Sequence, residues 1–184
     1  MTFLIVSIVV ISIVGTLSHF LYDFTNHNVY VGLFAAVNES TWEHIKIAIT
    51  PTLLWSLVDG IKYGSNPNYF LAKTASLIAI IVVMPILFYG YLAITKKDNF
   101  IVDIIIFYIV IICSQLTFDH VLKMEAISFT ARYLSCAALF VVFGIYMFMT
   151  FLPIKGVLTL DPLTNDYGYS AHSEASNIMK NKKK

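Results

Sequence analysis

Two histidines and two acidic residues near the start of the chain have side chains that could bind a divalent metal. They are His19, Asp23, Glu39 and His44. Imidazole nitrogens and carboxylate oxygens are donors that zinc and related divalent ions take in proteins. The same set could instead relay protons, because imidazole titrates near neutral pH. The residue types alone leave both kinds of chemistry open.

Acid–base catalysis is a further interpretation of the same stretch. Glu43 would act as the base, while His19 and His44 would bind a metal or orient the reacting groups. The sequence does not fix the cofactor, and a divalent metal is the candidate that these donors admit. Other polar residues nearby in sequence or on the same predicted membrane face are Asn38, Ser40, Trp42, Lys46 and Asp103.

The residues around Glu43 also permit an interpretation without chemistry. Ser40 and Glu43 fit a capping box, in which Ser40 bonds the amide of residue 43 and Glu43 reaches back to the amide of residue 40. Lys46 could pair with Glu43 three residues away, and Trp42 could be an anchor at the membrane interface. The sequence contains neither an HExxH zinc motif nor a nucleophile elbow that would decide between these interpretations.

The composition indicates the kind of protein in which these residues must be placed. Of the 184 residues, 58% are hydrophobic and 12% are charged, whereas soluble domains carry about 25% charged residues. The formal net charge of +1 provides no basic field that would attract nucleic acid. We therefore expect an integral membrane protein that contacts the lipid bilayer and does not bind nucleic acid.

Five stretches without Asp, Glu, Lys or Arg mark the expected membrane helices. They cover residues 1–22, 47–58, 74–95, 104–118 and 133–154. Three of them have 22 residues, enough to cross about 30 Å of hydrocarbon. The second and fourth have only 12 and 15, so a full crossing must include charged residues, which normally face the interior of a bundle. The prediction is an all-α polytopic bundle of about five transmembrane helices, with the second and fourth as its inner wall.

The connections complete this prediction. Residues 29–37 are apolar but too few to span, which favours a short re-entrant or interfacial segment before the second helix. After Pro153 the composition becomes polar, so we expect a five-helix transmembrane domain over residues 1–154 and a polar carboxyl-terminal tail over residues 155–184. This connectivity places His19, the residues around Glu43 and Asp103 on one face of the membrane.

The distribution of Lys and Arg predicts the orientation, because positively charged loops stay cytoplasmic. An outside amino terminus puts eight lysines inside and leaves three lysines and Arg132 outside. The eight are Lys46, Lys96, Lys97, Lys155, Lys180, Lys182, Lys183 and Lys184. We expect a multi-pass protein of the cell membrane with its amino terminus outside and its carboxyl terminus in the cytoplasm.

A string of polar residues at positions 38–46 resembles a known family. The string is Asn-Glu-Ser-x-Trp-Glu-His-x-Lys, and residues 19–22, 31–37 and 161–168 also resemble that family. The family consists of small bacterial integral membrane proteins and is a domain of unknown function. The resemblance implies a polytopic bacterial membrane protein whose first loop and second helix carry the polar signature, and it implies no activity. This chain has Ala36 where the family commonly has Pro.

Two classes of function remain open at the level of sequence. One is a membrane-embedded metal-dependent or acid–base hydrolase acting on a lipid-like substrate. The other is a small transporter or a helper subunit of a membrane complex, in which the polar signature is purely structural. A membrane-protein partner or a second copy of this chain would fit the latter.

Overall fold

Seven α-helices are found in a computed structural model that describes residues 1–97, 99–169 and 171. They are α1 (Thr2–Phe24), α2 (Val29–Gly32), α3 (Thr41–Leu54), α4 (Ser56–Tyr63), α5 (Tyr69–Thr95), α6 (Phe100–Leu122) and α7 (Phe129–Phe148). Within the described ranges, β pairing is limited to a bridge between Leu160 and Tyr167. The predicted all-α class is confirmed.

Among the described helices, four are long and apolar enough to cross a membrane, namely α1, α5, α6 and α7. Large apolar side chains on these helices are exposed, among them Leu17 at 62%, Ile86 at 63% and Phe140 at 69%. In a bilayer such side chains contact acyl chains instead of water. The chain is therefore a multi-pass membrane protein, as predicted.

The second predicted transmembrane helix is divided between α3 and α4, which have 14 and 8 residues. Trp55 lies between them with right-handed helical angles, φ −62° and ψ −19°. Pro51 lies inside α3, where it lacks the amide hydrogen that would bond the carbonyl of Ile47 and so disturbs the helix. Neither helix alone has the length to span, so four helices of spanning length are shown, one fewer than predicted.

The centre of the bundle is occupied by α3, most of whose residues are buried. Helix α1 approaches it closely at Gly15, where a Cβ atom would lie 2.8 Å from the carbonyl oxygen of Ile47 and 2.6 Å from the Phe107 ring of α6. Among the four long helices, α6 has the largest buried share of its most apolar stretch, 33% against 11–22%. The burial of α3 and α6 agrees with the inner wall predicted for the second and fourth helices, but in α4, the continuation of the second, only Asp59 is buried.

Two non-spanning stretches cover one end of the bundle. The linker segment, residues 25–40, contains the short α2 and buries Ala35 and Val37 against Tyr22 of α1. The carboxyl-terminal segment, residues 155–169, folds back so that the amide of Trp42 donates to the carbonyl of Leu158 at 2.8 Å. The four terminal lysines lie outside the described residues.

Candidate functional site

His19, Glu39 and His44 meet at the end of the bundle that these two segments cover. The Nε2 atom of His19 lies 3.6 Å from Oε1 of Glu39, and Nε2 of His44 lies 3.9 Å from Oε2. One ligand atom from each residue lies within 4.8 Å of the other two. Donors around a tetrahedral zinc ion lie roughly 3.4 Å apart, so a small contraction would allow all three to bind one ion. We call these three residues the His–Glu cluster.

His44 is fixed in a form that suits metal binding. Its Nδ1 atom lies 3.0 Å from the carbonyl oxygen of Ser40, which can only accept a hydrogen bond. Nδ1 therefore carries the hydrogen, and in the neutral ring the lone pair is on Nε2, the atom nearer to Glu39. A backbone carbonyl that orients a histidine in this way is the usual second partner of a metal-bound imidazole.

His19 has a buried nitrogen that lacks a partner. Its Nδ1 atom is inaccessible to solvent and makes no hydrogen bond within the described part of the chain. The imidazole packs edge-on against Phe20 at 5.1 Å and lies 5.5 Å from the His44 ring. A buried polar atom without a partner costs about 1–3 kcal/mol. Since Nε2 is the nitrogen that faces Glu39, an ion bound in the cluster would leave Nδ1 as it is.

The carboxyl-terminal segment positions the backbone of Glu39 through hydrogen bonds. Its amide donates to Oδ1 of Asp161 at 3.2 Å. Asp161 is buried, and its Oδ2 atom accepts hydrogen bonds from the amide and the hydroxyl of Thr164 at 3.0 and 2.5 Å. Asn38 adds a second connection, since its Nδ2 donates to the carbonyl of Gly168 at 2.8 Å. The backbone that carries Glu39 is thus held by residues more than 120 positions later in the chain.

Glu43 and Lys46 form a buried ion pair at 2.5 Å and take no part in the His–Glu cluster. The Oε2 atom of Glu43 accepts a hydrogen bond from the amide of Val37 at 2.9 Å. Lys46 donates to the carbonyl of Gly32 at 2.8 Å and to the hydroxyl of Thr150 at 3.1 Å. The pair ties α3 to the linker segment and to the residues after α7.

The capping-box interpretation of Ser40 and Glu43 is wrong. Ser40 is the N-cap of α3, but its side chain makes no capping hydrogen bond. The Glu43 carboxylate bonds the amide of residue 37 rather than that of residue 40, and the Ser40 amide donates instead to Oδ1 of Asn38 at 2.9 Å. Competition from Lys46 and Val37 has drawn Glu43 away from its own helix end.

A cavity of about 310 Å³ lies beside the His–Glu cluster, whose three residues form part of its lining. Asp103 of α6 also lines it, and the hydroxyl of Tyr91 donates to Oδ1 of Asp103 at 2.9 Å. The rest of the lining is mainly apolar and includes four phenylalanine rings. Pro162 and Leu163 contribute from the carboxyl-terminal segment. The cavity therefore combines a polar end with an apolar body.

The remaining predicted site residues lie elsewhere. Asp23 is largely exposed, and its Oδ1 atom lies 3.2 Å from Nε2 of His27. Trp42 is buried among the apolar residues of the bundle core. Asp161 and Tyr91 were not identified as site residues from the sequence. The tail stretch 161–168 did carry a signal, through its family resemblance, whereas nothing in the sequence marks Tyr91.

Comparison with known proteins matches the chain to a family. A family model described as a family of unknown function (DUF6512) matches residues 1–169. That range includes the His–Glu cluster, Asp103 and the carboxyl-terminal segment. No curated protein and no solved structure matches the chain.

Proposed function

The chain belongs to the DUF6512 family, whose function is unknown, and we propose that it is a membrane-embedded hydrolase with a divalent metal bound by His19, Glu39 and His44. The proposed substrate is a lipid-like molecule. The observation that carries the proposal is the convergence of three suitable donors on the wall of a largely apolar cavity. The fixed ring orientation of His44 supports it.

The donor set suits hydrolysis. Two histidines and one glutamate, with a coordination position left for water, are the ligands of several catalytic zinc sites, where the ion lowers the pKa of bound water to about 7. In our proposal Asp103 takes a proton from the attacking water. The water oxygen then bonds to the substrate carbon, the bond to the leaving group breaks, and the proton passes from Asp103 to the leaving group. Glu43, the base suggested by the sequence, is held by Lys46 and does not line the cavity.

The position of the cavity supports a substrate that comes from the bilayer. Its walls include Phe20 of α1 and Phe100 of α6, which are 45% and 69% exposed. Both helices are candidate membrane spans. An amphiphile could therefore slide between the end of α1 and the start of α6 with its chain among the apolar rings and its reactive bond near the His–Glu cluster.

A fifth membrane crossing by α3 and α4 together is part of the proposal. The Phe3 and Tyr63 rings lie 5.3 Å apart, and the His19 and His44 rings lie 5.5 Å apart. The pair α3–α4 therefore runs antiparallel to α1 along most of its length. Residues 41–63 would extend about 34 Å at 1.5 Å per residue. At the far end, Asp59 of α4 is joined to Lys73 of α5 at 2.6 Å.

We also propose that the site end of the bundle faces the cytoplasm. Lys46 and Lys73 are buried in ion pairs, so they do not act as loop charges. The remaining described positive charges are equal in number on the two sides of the membrane. The site side has Lys96, Lys97 and Lys155, and the other side has Lys62, Lys123 and Arg132. The four terminal lysines, which follow the site side in sequence, favour the cytoplasm for that side.

Metal analysis of the purified protein tests the metal centre. The protein is extracted in a mild nonionic detergent, stripped with a chelator and reloaded with Zn²⁺ or Co²⁺, and its metal content is measured by elemental analysis. We expect one ion per chain in the parent protein and loss of that ion in Glu39→Gln and His44→Gln. His27→Gln is the matched control, since His27 lies near the same membrane face but outside the cluster, and it should keep the ion. A parent protein that binds no ion at this stoichiometry would contradict the proposal.

Hydrolysis is tested on extracted membrane lipids. The loaded protein is incubated with the extract, and released products are identified by mass spectrometry. Products should form with the parent protein and be absent with the Glu39→Gln variant. A loaded protein that releases no product would leave a metal site without the proposed activity and would favour the transporter or helper function.

A further inference from the structure

A second cavity, of about 550 Å³, lies on the opposite face of α1 from the His–Glu cluster. The residues of α1 that line it are Val14, Leu17, Ser18 and Leu21. The residues of α1 that line the cavity beside the cluster are Thr16, His19 and Phe20. At 3.6 residues per turn the two sets point roughly 160° apart around the helix axis. We call the second cavity the apolar groove, and α1 separates it from the candidate metal centre.

The apolar groove runs along the helices and not across them. Its residues on α1 are spaced by three, one and three positions, so they recur on one face of the helix over two turns. The same spacing is found on the opposite wall, in Thr50, Leu53, Leu54 and Leu57 of α3 and α4. Seven positions extend about 10 Å along a helix. Because α1 is a candidate membrane span, the groove is aligned with the acyl chains of a bilayer.

The polar groups of the apolar groove already have hydrogen-bond partners. The Ser18 hydroxyl donates to the carbonyl of Gly15 at 2.7 Å. The Thr50 hydroxyl donates to the carbonyl of Phe34 at 2.7 Å and accepts from the Tyr146 hydroxyl at 2.6 Å. No Asp, Glu, Lys, Arg or His is present among the described lining residues. A polar ligand would lose its hydration here without gaining a partner, so the lining suits a hydrocarbon.

Size and charge argue against two other occupants of the apolar groove. Two turns of an α-helix with its side chains have a diameter of about 10–12 Å, which corresponds to roughly 800–1,200 Å³, whereas the groove encloses about 550 Å³. A transmembrane helix of a partner or of a second copy therefore does not fit inside it. Residues 172–184 of this chain contain four lysines, so their charge does not match an uncharged lining. A single hydrocarbon chain is both narrow and uncharged.

The apolar groove lies mainly in the half of the bundle nearer the His–Glu cluster. Its α1 residues come from the second half of that helix. Phe143 and Tyr146 line it from α7, close to the end of that helix at Phe148. Phe34 of the linker segment also contributes. A chain in the groove therefore belongs to a lipid whose head group lies on the site side of the membrane.

We infer that the apolar groove binds one hydrocarbon chain of a bilayer lipid from the leaflet on the site side. Without a chain, the side chains of its walls would have no contacts on one side and would lose dispersion energy. Lipid tails are as apolar as leucine, so close packing and not hydrophobicity distinguishes this lipid from its neighbours. The inference depends neither on the metal centre nor on the proposed hydrolase.

Photolabelling by a lipid tests the inference. The full chain is reconstituted into vesicles of phosphatidylethanolamine and phosphatidylglycerol that contain a small fraction of phosphatidylcholine with a diazirine in the middle of one acyl chain. After illumination, the labelled residues are identified by mass spectrometry. Leu53 and Phe143 line the groove, whereas Ile86 and Phe140 are exposed on membrane spans outside it. We expect about fivefold more label at the first pair than at the second, because a bound chain stays beside the groove.

Variants that fill the apolar groove provide the second test. Leu17→Trp should place an indole in the groove and reduce the labelling of Leu53 and Phe143 about fivefold. Ile5→Trp is the matched control, since Ile5 is an exposed residue of the same helix outside the groove, and it should leave the labelling unchanged. If Leu17→Trp does not fold, Leu54→Trp fills the groove from the opposite wall. Equal labelling inside and outside the groove in the parent protein, or unchanged labelling in both filled variants, would overturn the inference.

The leaflet and the alternative of a second copy are tested in the same system. A diazirine near the head group should label Leu21 and Phe34, and one near the end of the chain should label Leu57. The reverse pattern would overturn the assignment to the site side. Leu17→Cys, with the natural cysteines replaced by serine, should remain monomeric after oxidation in the membrane. A dimer linked through this cysteine would show that a second copy covers the groove, which would overturn the inference.

Discussion

Glu39 and Glu43 are four residues apart, and their carboxylates have different surroundings. The Glu39 side chain is 45% exposed beside two imidazoles, whereas the Glu43 side chain is 1% exposed beside an ammonium group. A buried charge must be paired, because its hydration is lost and only a partner can compensate. Glu43 is therefore committed to Lys46, and Glu39 is the carboxylate that remains available to a ligand.

Replacement of the two glutamates should give opposite phenotypes. Glu43→Gln leaves the Lys46 ammonium buried without its partner, which typically costs about 3–5 kcal/mol. We expect a clear drop in the unfolding temperature in detergent. Glu39→Gln should lose metal, and it should unfold close to the parent temperature when both proteins are compared without metal. The double variant Glu43→Gln with Lys46→Met should recover part of the lost stability, and a Glu43→Gln protein as stable as the parent would show that the pair is unimportant.

Metal retention should depend on pH through the two imidazoles. Histidine binds a metal only as the neutral ring. As the pH falls from 7.5 to 5, protons compete for both His19 and His44, so bound metal should fall and up to two protons per chain should be taken up as the ion leaves. Elemental analysis after dialysis at each pH measures this effect. His27→Gln should give the same curve, and a metal content independent of pH over this range would argue against histidine ligands.

Residue types were enough to select the members of the His–Glu cluster but not to assign every role. His19, Glu39 and His44 stood out because few other side chains near them could bind a metal. Asp23 was grouped with them, but its Oδ1 atom lies 3.2 Å from Nε2 of His27, which follows the end of α1. The role of Glu43 depends on its contacts with the Val37 amide and the Lys46 ammonium group. These contacts form only in the folded protein, so the capping-box sequence pattern does not predict them.

At the level of elements, the start of α3 depends on the carboxyl-terminal segment. Asp161 accepts a hydrogen bond from the Glu39 amide, and Leu158 accepts one from the Trp42 amide. Both amides lie near the amino end of α3, where helix amides lack partners within the helix. The segment therefore completes the helix end that carries two of the three metal donors.

Loss of the Asp161 side chain should weaken metal binding from outside the cluster. In Asp161→Ala the Glu39 amide and the Thr164 hydroxyl both lose their partner, so the backbone that carries Glu39 is less well held. Changes to such outer partners typically reduce metal affinity about 10–100-fold, and we expect a decrease in that range in a Zn²⁺ competition titration. Asp166→Asn is the matched control, since its side-chain oxygen can still accept from the Tyr167 amide. Equal Zn²⁺ affinities for Asp161→Ala and the parent would show that Asp161 does not position Glu39 for metal binding.

Uncharged runs located the four spanning helices but not their ends, since the run 133–154 continues past the end of α7 at Phe148 and the other runs are shorter than their helices. The run 104–118 lies within Phe100–Leu122, because the charges at both ends are accommodated by partners. Asp103 accepts from Tyr91, and Asp119 pairs with Lys123 one turn later at 2.5 Å. The run 47–58 failed to predict the break between α3 and α4, although Pro51 is the visible signal for it.

At the level of the whole molecule, α3 is buried among the other helices and α4 buries Asp59 beside Lys73 of α5. This explains why a stretch with so many polar residues can lie among membrane spans. Lys46 and Asp59 are each buried with a partner of opposite charge, so the charges face the interior and not the lipid. The desolvation cost of burying these charges is offset only when the partner of opposite charge is in place beside each of them. A criterion based on uncharged runs assigns these charged residues to loops. For that reason the number of membrane crossings could not be fixed from the sequence.

Cysteine labelling in intact cells can determine both the number of crossings and the orientation. The natural Cys113 and Cys136 are partly buried and are first replaced by serine. Single cysteines are then introduced at exposed positions and treated with a reagent that does not cross the membrane. Permeabilised cells provide the control for accessibility.

His27 and Lys155 lie at the site end of the bundle, and Lys62 and Glu125 lie at the other end. Five crossings require His27→Cys and Lys155→Cys to share one side, and Lys62→Cys and Glu125→Cys to share the opposite side, because α3–α4 separates His27 from Lys62. With the site end in the cytoplasm, only the second pair should be labelled in intact cells. Labelling of the first pair alone would reverse the orientation but keep the five crossings. Labelling of His27→Cys together with Lys62→Cys would show that α3–α4 does not cross, and the His–Glu cluster would then have to be placed without the antiparallel packing of α1 against α3–α4.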